Sequence, residues 1–227
     1  MKYQIFGENL PAVTISLDRG ESIYTQSGGM SWMSAGIDMK TNMQGGLMKG
    51  LGRMFSGESL FMATYTAMSD DQQITLGTSL PGSIRVFEVG PGKEYIAQKQ
   101  AFLCATPSVE LSACFTKRFS GGLFGGEGFI LQKFSGQGLV FAELDGSVAE
   151  YDLAPGQVMK VDTGNVAVFE STVSYSVEMV KGFKNILFGG EGLFLTTLQG
   201  PGKVWLQTMT ASDIASRIIP YIPRTNN

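Results

Sequence analysis

Phe124-Gly125-Gly126-Glu127 and Phe188-Gly189-Gly190-Glu191 are one phrase written twice, and Phe55-Ser56-Gly57-Glu58 is a looser third copy. Each leads into an apolar run with the composition of a β-strand. A second marker precedes each: Leu17-Asp18-Arg19-Gly20, Val89-Gly90-Pro91-Gly92 and Leu153-Ala154-Pro155-Gly156. From the second copy to the third both markers move by 64 residues, Gly92 to Gly156 and Glu127 to Glu191. A fixed period of this length marks a structural repeat and outranks any local reading.

Residues 92–143 lie over 156–207 without a gap, with Val109 on Val173, Phe115 on Met179, Leu131 on Leu195, and Val140-Phe141 on Val204-Trp205. Apolar positions stay apolar, so the buried face of each period-two strand is kept. The first copy diverges. By this alignment it carries about three extra residues before its glutamate and five after it, and Ala67 and Ser69 replace the Gly-x-Gly turn of 136–138. Strands are expected near 12–17, 60–66, 83–87, 101–105, 109–115, 128–134, 138–143, 157–161, 192–198 and 203–207. Val166 and Val168, then Val173, Tyr175, Val177 and Met179, alternate as half-buried strands do. Pro-Gly and Gly-x-Gly pairs separate the runs at turn positions. The expected fold is all-β: three tandem β-sandwich-like repeats at 1–79, 80–144 and 145–215, then a tail at 216–227. Two helical patterns interrupt it. One is Leu47, Met48, Leu51, Met54 and Phe55, weakened by neighbouring glycines; the other is capped by Thr210 or Ser212 and stopped at Pro220.

Composition narrows the function. The chain has 227 residues, no histidine, a formal charge of −3 and a pI near 5.1. Without histidine it lacks the commonest general base and the commonest metal ligand. A net negative balance argues against nucleic acid, whose binders carry basic stripes. Cys104 and Cys114, the two cysteines, lack CxxC spacing or companion ligands, so zinc is not expected; both are read as small core residues. No eighteen-residue apolar run exists and the first residues lack the centre of a signal peptide, so a soluble cytoplasmic protein is expected.

The repeated Gly-Glu phrases, the Pro-Gly turns and Ser27-Gly28-Gly29-Met30-Ser31-Trp32-Met33 resemble one family over roughly residues 1–215. It is the bacterial branch of the altered-inheritance-of-mitochondria family, long carried as a domain of unknown function. The resemblance implies a fold similar to the tryptophan RNA-binding attenuation protein, with three small sandwich units per chain in a pseudo-threefold arrangement and a ring closed as a homotrimer. It carries no catalytic set. Eukaryotic relatives are linked to mitochondrial organisation.

Glu58, Glu127 and Glu191, with Gly57, Gly126 and Gly190 before them, are the sharpest repeated polar positions. Three copies of one carboxylate point to turn or unit–unit hydrogen bonds rather than to catalysis. The glycines lack the GxxxxGK[ST] of a phosphate loop. Eight of twelve methionines lie between Met30 and Met68. This makes Met30, Trp32 and Met33, with the cations Lys49 and Arg53, candidates for an adaptable binding surface or weak membrane-surface contact. No catalytic, cofactor or metal residue is read. The leading expectation is a non-enzymatic β-ring scaffold or interaction module with an unknown protein partner. An RNA- or small-ligand-binding ring comes second, by fold analogy, and a carboxylate-based enzyme last.

Overall fold

The computed structural model describes residues 1–26, 29–42, 62–117, 129–179 and 194–222. These are nearly all β, with one short helix. Strand β1 (Lys2–Phe6) is followed by β2 (Ala12–Leu17), β3 (Ser22–Gln26), β4 (Met30–Met33), β5 (Ile37–Asn42), β6 (Met62–Ala67) and β7 (Gln72–Gly77). Next come β8 (Gly82–Val89), β9 (Tyr95–Gln98), β10 (Phe102–Ala105), β11 (Val109–Lys117), β12 (Phe129–Gly136) and β13 (Gly138–Asp145). The last group is β14 (Val148–Leu153), β15 (Val158–Asp162), β16 (Val166–Glu170), β17 (Ser174–Met179), β18 (Phe194–Gln199) and β19 (Gly202–Gln207), before helix α1 (Ala211–Ile218).

All strand pairs are antiparallel and one pairing scheme recurs. In the first group β7 lies between β2 and β4 while β6 lies between β3 and β5. In the second, β13 lies between β8 and β10, and β12 between β9 and β11. In the third, β19 lies between β14 and β16, and β18 between β15 and β17. A register shift falls at the same place each time, between Met30 and Trp32, Phe102 and Cys104, and Val166 and Val168. Two further pairs join the groups, β3 with β10 and β9 with β16. Among the described residues the sheets are therefore β1-β2-β7-β4, β5-β6-β3-β10-β13-β8, β11-β12-β9-β16-β19-β14 and β15-β18-β17, and none closes on itself.

Each group has its own apolar core, and the joining strands give side chains to two. Val13, Ile15, Ile74 and Leu76 form the first core with Tyr65, and Cys104 and Phe141 reach into it from the second group. Phe87, Phe102, Phe134 and Val140 form the second, which receives Val168 and Trp205. Phe169, Leu198 and Val204 form the third, which receives Ile96, Phe129 and Leu131.

This sharing explains where sequence patterns mislead. Val166–Phe169 is buried on both faces, not half-buried, because β16 gives Ala167 and Val168 to the second core and Val166 and Phe169 to the third. Cys114 is exposed rather than a core residue, since it is the extra residue where the β11–β12 register shifts between Ala113 and Phe115. Cys104 is buried as expected. The five extra residues after Glu58 divide between two places. Residues 68–71 connect β6 to β7 where Gln137 alone connects β12 to β13, and residues 78–81 connect β7 to β8 where Gly146 and Ser147 connect β13 to β14. Strands β1, β3, β4, β5, β7, β9 and β14 were not anticipated by the patterns above. The helical pattern at 47–55 lies outside the described residues. Helix α1 begins at its cap, Thr210, whose hydroxyl accepts the Asp213 N–H at 3.0 Å, and passes into a 3₁₀ turn containing Pro220. Among the described residues no helix is long and apolar enough to cross a membrane.

Candidate functional site

Glu58, Glu127, Glu191, Gly57, Gly126, Gly190, Lys49 and Arg53 lie outside the described residues. The strands flanking the three phrases are equivalent pairs, and each pair opens at Asn42–Met62, Lys117–Phe129 and Met179–Phe194. Met30, Trp32 and Met33 all fall on β4, at the free edge of the first sheet.

Its position has a meaning that the two inner junctions define. Where β10 meets β3, Cys104 lies opposite Thr25 and Ala105 opposite Tyr24. Where β16 meets β9, Val168 lies opposite Ala97 and Phe169 opposite Ile96. Side chains lock both seams. Tyr24 Oη donates to the Val109 carbonyl at 2.9 Å, and Thr25 Oγ1 donates to the Leu103 carbonyl. The Gln98 amide faces the carbonyls of Thr163, Gly164 and Val166. Trp205 packs edge-on against Phe87 with ring centres 5.0 Å apart, and its indole N–H donates to Glu150 at 3.0 Å. Lys203 hydrogen-bonds the same carboxylate at 2.8 Å and, with the indole, holds it below the usual carboxylate range.

By pairing and register shift, β4 stands where β10 and β16 stand, and β15 stands where β3 and β9 stand. Yet among the described residues β4 and β15 end different sheets, each with a single strand neighbour. Their exposure follows. Trp32 is 58% exposed, whereas its equivalents Cys104 and Val168 are 0% exposed. Tyr151 on β14 is 46% exposed, whereas its equivalent Phe87 on β8 is 4% exposed. Val158 at the start of β15 is exposed as well. Phe6 lies beside Trp32, ring centres 6.4 Å apart, extending the apolar surface. A strand edge with unmet N–H and C=O groups beside exposed aromatic side chains is a template for another strand.

Two carboxylates missed by the sequence reading share one face of β13. Burial pushes Glu143 up to about 7, its hydrogen bonds from Ser79 oppose this, and neighbouring Asp145 adds to it. Asp145 itself is pushed up to about 6 by burial. The Glu143 carboxylate accepts the Ser79 N–H at 2.7 Å and faces the Ser79 hydroxyl at 3.4 Å, so it clamps the connection between β7 and β8. Only the charged residues flanking Phe141 and Leu144 in sequence could have drawn attention to them. Among the described residues no cluster of three or more metal-ligating side chains occurs. Burial raises the Cys104 thiol far above its ordinary range.

An all-β chain with a thrice-recurring pairing scheme, whose equivalent strands pair at two inner seams but stand open at β4 and β15, is thus the class defined by fold and site. The chain belongs to the family described as mitochondrial biogenesis AIM24, whose model matches residues 3–209. It is 30% identical over 226 residues to a Streptococcus pyogenes serotype M6 protein named Uncharacterized protein M6_Spy0233, covering 96% of this chain and 89% of that relative. It is also similar to the crystal structure of protein SPYM3_0169 from Streptococcus pyogenes, with a TM-score of 0.77 at 26% identity over 97% of this chain and 99% of that one.

Proposed function

We propose that this AIM24-family chain is a non-enzymatic β scaffold or interaction module, built from three repeats at 1–79, 80–144 and 145–215 with a tail at 216–227. The repeats stand side by side in a pseudo-threefold, attenuation-protein-like arrangement, and three chains close a homotrimeric ring. One observation carries this reading: the same four strand pairings and the same register shift recur in each group of six strands. The six-stranded sheets are shared between consecutive groups, so each group needs a neighbour to complete its sheet. Glu58, Glu127 and Glu191 then serve their turns or unit–unit contacts, in keeping with the equivalent strand pairs that flank them. Negatively stained particles test the proposal. Closed rings with threefold symmetry are expected; single-chain particles contradict it. A titration with mixed-sequence single-stranded RNA at low salt is expected to show no binding, and a salt-dependent signal there would move the account to an RNA-binding ring.

A further inference from the structure

We propose that β4 of one copy of this chain pairs with β15 of a second copy, antiparallel, with Met33 opposite Lys160 and Trp32 opposite Val161. This rests on the scaffold reading and names the surface by which the scaffold would be joined. The register follows from the two seams inside the chain. Trp32, Cys104 and Val168 are equivalent, spaced by 72 and 64 residues, and so are Thr25, Ala97 and Val161. Cys104 faces Thr25 and Val168 faces Ala97, so the third member of each set, Trp32 and Val161, completes the series. One residue along, Ala105 faces Tyr24 and Phe169 faces Ile96, which leaves Met33 for Lys160.

Side chains at the two edges fit this partner. The inner seams bury four consecutive residues on β10 and on β16, while β4 keeps Ser31 and Trp32 exposed. Beside each seam, the strand that makes it and its neighbour within the group pair one large ring with one smaller group: Cys104 with Phe141, Val168 with Trp205, and Trp32 with Thr75. In unit one the ring has changed strands. Trp205 covers Phe87 and Tyr95 of the preceding group, whose equivalents at the far end of the chain are Tyr151 and Met159. Trp32 of the copy that contributes β4 is the ring that covers them. Lys160, a donor on a long apolar stem, stands where Tyr24 uses its hydroxyl to reach the next group's carbonyl. A charged residue on a free edge strand also discourages pairing with any other edge. Because the two edges differ, the contact is heterologous and propagates head to tail.

Cysteine cross-linking tests this in full-length chains carrying Cys114→Ser, with Cys104 buried and retained. Directly opposed antiparallel residues lie about 4.5–5.5 Å apart at Cα, within reach of a disulfide. On mild oxidation, Met33→Cys chains mixed with Lys160→Cys chains are expected to give a covalent 1:1 dimer, at least tenfold more than Met33→Cys with Asp162→Cys. A chain with both Met33→Cys and Lys160→Cys is expected to form covalent dimers and trimers and no larger species. No interchain disulfide, an equal yield for the shifted pair, or a disulfide closed within one chain overturns the pairing. Light scattering on the unmodified chain separates the failures. Assembly without the cross-link removes this seam and leaves the scaffold reading, while a monomer removes both.

Discussion

Glu143 sets a pH dependence whose sign is fixed by its surroundings. Burial raises its carboxyl from the ordinary 4.5 to about 7, against the opposing bonds from Ser79. The folded state therefore disfavours the charged form. The stability this group contributes is fully present below about pH 4.5 and is lost as pH rises through 7. The full shift corresponds to about 3 kcal/mol at roughly 1.4 kcal/mol per pH unit. Partial solvent access at the β7–β8 connection reduces that to about 1–2 kcal/mol. Asp145, raised to about 6 from 3.8, acts in the same direction. Urea unfolding of the native chain at pH 5 and pH 8 is expected to show the higher stability at pH 5. Glu143→Gln keeps an acceptor for the Ser79 N–H, removes the charge, and is expected to gain about 1–2 kcal/mol at pH 8 and little at pH 5. A variant no more stable than the native chain at pH 8 would refute the burial argument.

Trp205→Ala removes the ring that packs on Phe87 and leaves Glu150 without its indole donor, so a loss of about 3–5 kcal/mol is expected in the same urea assay. A loss under about 1 kcal/mol would show that the seam between the second and third groups does not depend on this ring. Glu127→Gln is expected to lower stability by roughly 1–3 kcal/mol if its turn relies on a charge-assisted bond. Unchanged melting in Glu58→Gln, Glu127→Gln and Glu191→Gln alike would return these carboxylates to the candidate binding groups.

The parts of the fold that could be read in sequence are those bracketed by turn chemistry. Gly136 and Gly138 both have positive φ around the tight turn that joins β12 to β13, so the pair of strands was visible from its glycines. Strand β17 alternates cleanly because one of its faces is open. By contrast β9 is short and buries three consecutive residues, Ile96 to Gln98, which erases the period-two signal. Strand β14 is hidden for the opposite reason, as its Ala149-Glu150-Tyr151-Asp152 run carries polar residues at an exposed edge. Methionine and tryptophan enrichment drew attention to Met30, Trp32 and Met33. Nothing in Val158–Asp162 marked β15 as their counterpart, because an open edge is a property of which strands pair and not of composition.

The central claim is that the edges left open at β4 and β15 pair between copies, so that the chain does not remain alone. Multi-angle light scattering of the full chain across micromolar dilution tests it most directly. The account predicts a stable species of about 73 kDa, three chains of 24.4 kDa. A single species of 24.4 kDa at every concentration would contradict it.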